Sequence, residues 1–354
     1  MSLVKKVGEK MSFGERLQRF HAFSKTETAV SRRDFYDYIT RKWKSGYSAG
    51  EIGFPLTTLR EVLPKEPSQD GGYIGPTGFN LDTDLDWTGQ PGGSYFDLIP
   101  RIIENYKYKL VPENVILSNG VGGGDFIVPM AVLKQGDEVV IPRPTWVSFE
   151  PVSYAIGVKA KILPLKEELG WKWDIDELNE IVTHDTRMIF ICNPNNPSGR
   201  IYDEKEMKAI CEIAKDNRAY VLSDEEYRGT ELDKPFMSTP AVCNLYYNSA
   251  SISGVSKLFG AVGTRIGWVA SQNRDLLAKA NRVKGLIGGL GGFQVALAWA
   301  MNEPKKIREI AGRHAKFARK SRAVLKAFMD KQDFFRLVLP KAGFISFPGW
   351  TYDI

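Results

Sequence analysis

Lys257 closes the segment Ser253-Gly254-Val255-Ser256-Lys257. Glycine and serine on its N-terminal side make a poor setting for a helix-surface charge and a good one for a positioned amine. Asp224 follows the apolar stretch 220–222 and opens Asp224-Glu225-Glu226-Tyr227. An acid at that point can pair with a protonated ring nitrogen. Arg265 comes eight residues after the lysine. A lone loop lysine is most often only a solvated charge, so Lys257 gains meaning from the segments around it.

Three further segments have side chains or backbone suited to a ligand. In Ser118-Asn119-Gly120-Val121-Gly122-Gly123-Gly124, glycines sit between an apolar strand and an apolar helix. Backbone N–H groups there can approach a phosphate at a helix N-terminus. No Gly-Lys-Ser/Thr follows, and Asp125 stands where a dinucleotide fingerprint needs glycine. Taken alone, a flexible strand–helix turn is an equal reading. Pro142-Arg143-Pro144-Thr145-Trp146 delivers an indole suited to stack on a flat heteroaromatic ring, although a single tryptophan is more often core. Asn193-Pro194-Asn195-Asn196-Pro197-Ser198-Gly199 fixes a turn after an apolar strand. Those residues are common turn formers, but this turn also presents an amide at a strand's carboxyl end, where α/β proteins place ligands.

The elements that must hold these groups alternate. Short β-like runs at 115–117, 138–142, 159–165, 188–191, 220–222 and 267–270 are separated by helix-like stretches. The clearest helix spans 204–217: Asp203 caps it, Glu206 completes a capping box, and Met207, Ile210, Cys211 and Ala214 recur at helical spacing. Strands alternating with helices predict an α/β fold, a mostly parallel sheet covered on both faces. Residues 66–94, rich in Gly, Pro, Asp and Asn, read as a long irregular connection. The stretch 305–329 is helical in period, and 344–347 reads as a strand. With the N-terminal region, this tail is expected to form a smaller α+β domain. The division is then 1–65 in the small domain, 66–300 in the large ligand-binding domain and 301–354 in the small domain.

Composition excludes several classes. The 354 residues carry 43% hydrophobic and 25% charged side chains, ordinary for a globular protein. The net charge of +6 is spread out, and clusters such as Arg41-Lys42-Trp43-Lys44 read as solvated helix faces, so no nucleic-acid partner is expected. Cys192, Cys211 and Cys243 show no CxxC spacing, and His21, His184 and His314 form no metal or triad pattern. No apolar run approaches a membrane span, and MSLVKKVGEK lacks a signal-peptide core, so the cytoplasm is the expected compartment.

Together the motifs Asn-Pro-x-Asn-Pro-x-Gly, Asp-x-x-Tyr and Ser-Lys-x-Phe-Gly-x-x-Gly-x-Arg-x-Gly-Trp resemble the class I/II aminotransferases, fold type I enzymes that depend on pyridoxal 5′-phosphate (PLP). The last motif is Ser256-Lys257-Leu258-Phe259-Gly260-Ala261-Val262-Gly263-Thr264-Arg265-Ile266-Gly267-Trp268. The resemblance runs from about residue 85 to the end and implies a seven-stranded sheet in the large domain. It implies that Lys257 is the Schiff-base lysine and Asp224 the partner of the pyridinium nitrogen. Tyr227 and Asn196 would donate to the ring's 3-oxygen, and Trp146 would stack on the ring. Gly120, Val121 and Gly122 would cradle the phosphate, with Arg265 as its clamp and Ser256 beside it. It further implies a homodimer that uses an amino acid and a 2-oxo acid.

The chain also departs from the pattern. Gly254 stands where the family often has a phosphate-binding serine, for which Ser253 or Ser256 could compensate. The position of the tyrosine that the family donates from the neighbouring subunit falls in the 85–95 region, where Trp87 and Tyr95 are both candidates. The chain ends at Ile354, before the family's carboxylate-binding arginine, so the C-terminal part of the small domain is expected to be incomplete. Trp43, Phe54, Trp87 and Tyr95 are candidates to line a substrate pocket, or core. The same machinery would also serve β- or γ-elimination or an amino-acid cyclase, and a non-catalytic binding protein on this fold is the third reading.

Overall fold

Residues 188–191 are apolar without interruption because both faces of their strand are covered. In the computed structural model, which describes residues 95–331, 333 and 335–350 with the short segments 59–62, 74–75 and 78–79, this strand lies inside a seven-stranded sheet. Its side chains alternate: Met188 and Phe190 enter one core, Ile189 and Ile191 the other. Val139 and Ile141 against Val140, and Leu222 against Val221, repeat the period of two.

The strands are β1 (Val115–Asn119), β2 (Glu138–Arg143), β3 (Lys159–Pro164), β4 (Thr186–Cys192), β5 (Tyr220–Asp224), β6 (Ser249–Gly254) and β7 (Ile266–Ala270). Their order across the sheet is β1-β7-β6-β5-β4-β2-β3. The pairs β2–β3, β2–β4, β4–β5 and β5–β6 are parallel, and β7 runs antiparallel to both β6 and β1. The expected mostly parallel, seven-stranded α/β sheet is therefore present.

Strand β6 was not among the expected strands. Its sequence, Ser-Ala-Ser-Ile-Ser-Gly, is too polar to read as buried, yet every residue is buried. Each serine hydroxyl has a partner: Ser249 donates to Tyr246 O at 2.5 Å, Ser251 to Glu225 Oε1 at 2.7 Å and Ser253 to Glu225 O at 3.1 Å. Satisfied hydroxyls cost little to bury.

Besides a single turn at Leu59–Val62, the helices are α1 (Tyr95–Asn105), α2 (Gly120–Val132), α3 (Phe149–Ile156), α4 (Ile175–Ile181), α5 (Glu204–Asp216), α6 (Arg274–Ile287), α7 (Gly292–Met301) and α8 (Pro304–Met329). Helices α2, α3 and α6 cover one face, and α4 and α5 the other. Helices α1 and α7 and the start of α8 close a third core around Trp268 and Tyr106, whose rings meet edge to face at 4.8 Å. The capping box of α5 is present: Asp203 accepts from Glu206 N and Glu206 from Asp203 N.

The expected strand at 344–347 does not form. Residues 344–348 are irregular, and a small antiparallel pair instead joins Phe335–Arg336 to Gly349–Trp350. The aromatic residues of that stretch pack against rings elsewhere in the chain: Phe344 lies 5.7 Å from the Tyr227 ring and Phe347 5.4 Å from Trp171. Residues 340–343 are also stitched down by main-chain bonds. Lys341 N donates to Gly199 O, Leu232 N to Lys341 O and Gly343 N to Thr230 O. Trp43, Phe54, Trp87 and most of 66–94 lie outside the described residues, and of Tyr95 only the backbone is described, at the start of α1.

Candidate active site

Because β1, β2, β4, β5 and β6 point the same way, their carboxyl ends share one edge of the sheet. Antiparallel β7 brings the residue before it, Arg265, to that edge as well. The resemblance-derived residues all fall there. Gly120, Val121 and Gly122 follow β1, Trp146 follows β2 and Asn196 follows β4. Asp224 ends β5, Tyr227 comes three residues later, and Ser256 and Lys257 follow β6.

The first turn of α2 and Arg265 make one corner. Gly120 has φ +69°, and a Cβ on it would stand 2.7 Å from Arg265 Nη2. The guanidinium therefore lies against the helix start, in a space only glycine leaves open. A Cβ on Gly267 would stand 2.5 Å from the carbonyl carbon of Gly120, so α2 crosses β7 at backbone contact. Helix N–H groups, the helix dipole and a planar cation converge as a dianion would require.

The middle of the edge is acidic and dry. Asp224 is 4% exposed, accepts from Glu226 N at 3.0 Å, and is pushed up to about 7 by burial and by the neighbouring Glu225. The charge of Lys257 pulls it back. Tyr227 is buried, and its hydroxyl has no hydrogen-bond partner among the described residues. Asn193 spends its amide on Tyr202, and Asn195 spends its own on Pro144 O and Ser198. Asn196 is the asparagine whose side chain does not build the loop. Trp146 is half-buried against the α2–α3 core.

Lys257 lies in the turn after β6, half-buried, with its backbone N–H donating to Glu226 Oε1 at 3.0 Å. Ser256 is buried and its carbonyl receives Ala261 N. The Ser253 hydroxyl is turned to Glu225 O and so does not replace the serine absent at 254. Glycine at 254 has a steric cause: a Cβ there would stand 2.7 Å from Ile266 O. His314 is a packing residue, its Nδ1 2.9 Å from Leu258 O.

Two acids escaped the sequence reading. Asp125 lies buried in α2, where Ser148 Oγ donates to it at 2.9 Å and the Trp146 indole N–H also binds it, which fixes the indole. Burial and the nearby Asp224 hold Asp125 well above the usual carboxylate range. A single acid in the otherwise apolar Gly120–Val132 was the available signal. Glu226 is the second, hidden as the unspecified residue before Tyr227. Glu225, the third acid of that run, pairs with Arg228 at 3.3 Å in full burial. Among the described residues no group of acids, histidines and cysteines could hold a metal ion, and no helix is long and apolar enough to cross a membrane.

Known proteins share this architecture. The family model for aminotransferase class I and II matches residues 95–353. The probable aspartate/prephenate aminotransferase of Aquifex aeolicus is 33% identical over 173 residues, 48% of this chain and 44% of that protein. The aspartate aminotransferase of Pyrococcus horikoshii is 28% identical over 75% of this chain and 69% of its own length. This chain spans about half the length of most curated relatives it matches. A PLP-dependent aminotransferase from Streptococcus suis superposes with a TM-score of 0.69 at 25% identity, over 77% of this chain and 70% of that one. The aspartate aminotransferase of Thermotoga maritima, at 20% identity, shares the fold with a TM-score of 0.74 over 92% and 83% of the two chains. With the family model covering most of its length and its motif residues gathered on one sheet edge, the chain belongs to the class I and II aminotransferases.

Proposed function

We propose that this protein is a PLP-dependent aminotransferase that moves an amino group between an amino acid and a 2-oxo acid. The observation that carries the reading is the convergence at one edge of a dianion corner, a buried carboxyl, an unpartnered buried phenol and a half-buried lysine. The residues fit the cofactor. The space over Gly120, bounded by Arg265, suits its phosphate, and the orphaned Tyr227 hydroxyl suits its ring oxygen. Bound PLP supplies an electron sink for carbanion chemistry at the substrate Cα.

The chain's own residues then have distinct tasks. Asp224, ionised, pairs with the ring nitrogen and keeps it protonated. Tyr227 and Asn196 donate to the 3-oxygen, and Trp146, held by Asp125, covers one ring face. The helix start at Gly120–Gly122, Ser256 and Arg265 hold the phosphate. Lys257 would hold the cofactor, and its amine would serve as the base for the substrate Cα proton.

We also assign the domain division 1–65, 66–300 and 301–354, a homodimer and a cytoplasmic location. Leu286, 83% exposed, and Ile287 stand at the end of α6, and the following Gly288 O accepts from Asn119 beside the site. An apolar surface so placed supports a partner subunit there. Three buried free cysteines accord with a reducing compartment.

Incubation with PLP, a panel of amino acids and a 2-oxo acid tests the activity. Formation of a new amino acid with no net ammonia supports transamination. Release of ammonia in proportion to substrate would replace it with elimination.

A further inference from the structure

Glu226 fills the space that Gly254 leaves open. A Cβ on Gly254 would stand 3.2 Å from Glu226 Oε2, and Glu226 Oε1 receives the Lys257 backbone N–H at 3.0 Å. The side chain is 6% exposed. Charged and titratable groups face it from every neighbouring element. Asp224 and Tyr227 do so from its own loop, Asp125 from α2, Lys257 from the turn after β6, Arg265 from the head of β7 and Tyr106 from the end of α1. The two aspartates oppose a charge on Glu226; Lys257 and Arg265 favour one.

Cofactor binding would weaken that favour: the phosphate would take up the charge of Arg265, and the ring nitrogen would hold Asp224 in its ionised form. Adjacent buried carboxylates beside a phosphate repel one another, which favours the neutral form of one of them. We propose that Glu226 is a positioning residue that carries a proton whenever the phosphate-bearing cofactor is bound, its neutral carboxyl group standing beside the lysine turn where the resembling family often has a serine. This rests on the PLP reading above. In the cofactor-free protein, burial and the charge of Asp224 already push Glu226 up to about 8, with Lys257 and Arg265 pulling the other way. Above that pH, binding must take up a proton.

The test uses 4-deoxypyridoxine 5′-phosphate, which has no aldehyde and so leaves Lys257 chemistry out. Its affinity is measured between about pH 7 and about pH 10 for the wild type and E226Q, an amide of equal size. Relative to E226Q, the wild type weakens by up to about tenfold per pH unit above about pH 8. Parallel affinity profiles overturn the proposal. Thermal unfolding of the cofactor-free proteins is the second readout. The wild type loses stability relative to E226Q as pH rises from about 5 to about 8, because the folded state holds the proton more tightly than the unfolded chain. Coincident unfolding profiles overturn the proposal as well. Failure of the wild type to bind the analogue at any pH would instead count against the PLP reading, and the unfolding profiles then decide for Glu226.

Discussion

Asp224 is a carboxyl group that the fold keeps dry. Burial, then Glu225, raise it to about 7, and Lys257 lowers it. In the unfolded chain it returns to the usual carboxylate range near about 4. A folded value above the unfolded one means stability that is full below about pH 4 and lost as pH climbs through about 7. Cofactor-free protein is therefore expected to lose thermal stability across that window, and D224N to flatten the loss. An unchanged slope in D224N would contradict the dry, near-neutral Asp224. Most of these residues were legible because their spacing, not their type, carried the signal: Lys257 means little without Arg265 and Asp224 at fixed intervals. Glu226 and Asp125 were not legible, since what they do depends on which strand ends meet in space.

At the level of elements, the loop after β5 is held by a buried pair. Arg228 Nε donates to Thr239 O and Nη2 to Tyr106 O, while Glu225 accepts from Val242 N and Ser251. Removing one partner strands a buried charge, so R228A is expected to cost about 3–5 kcal/mol in denaturant unfolding. A loss under about 1 kcal/mol would show that the loop does not depend on the pair. Gly267 sets how closely α2 crosses β7. G267A has to push the helix start off the strand, so the variant is expected to lose at least about tenfold in affinity for a phosphate-bearing cofactor. Wild-type affinity in G267A would separate the helix start from phosphate binding. Helix α5 was readable from its capping box alone, because capping is local chemistry. Strand β6 was not, because its burial rests on hydroxyl partners contributed by Tyr246 and Glu225. The irregular 344–347 failed as a strand for the related reason that its aromatics found ring partners at Tyr227 and Trp171.

Over the whole molecule, the sheet order puts every motif on one edge and leaves Leu286 and Ile287 exposed beside it. L286E is expected to shift the protein from dimer to monomer in sedimentation, with its far-ultraviolet circular dichroism unchanged; a wild-type monomer would refute the dimer assignment. The alternation of strands and helices made the α/β class readable, and the family resemblance supplied the strand count. The antiparallel β7 that carries Arg265 to the edge was not readable from periodicity, because strand direction is settled by tertiary pairing. Reduction of the PLP-loaded protein with borohydride, followed by peptide mapping by mass spectrometry, tests the central claim most directly. The account predicts one phosphopyridoxyl group on the peptide containing Lys257, and none there in K257A. A reduced adduct on another lysine, or an equal adduct in K257A, would contradict it.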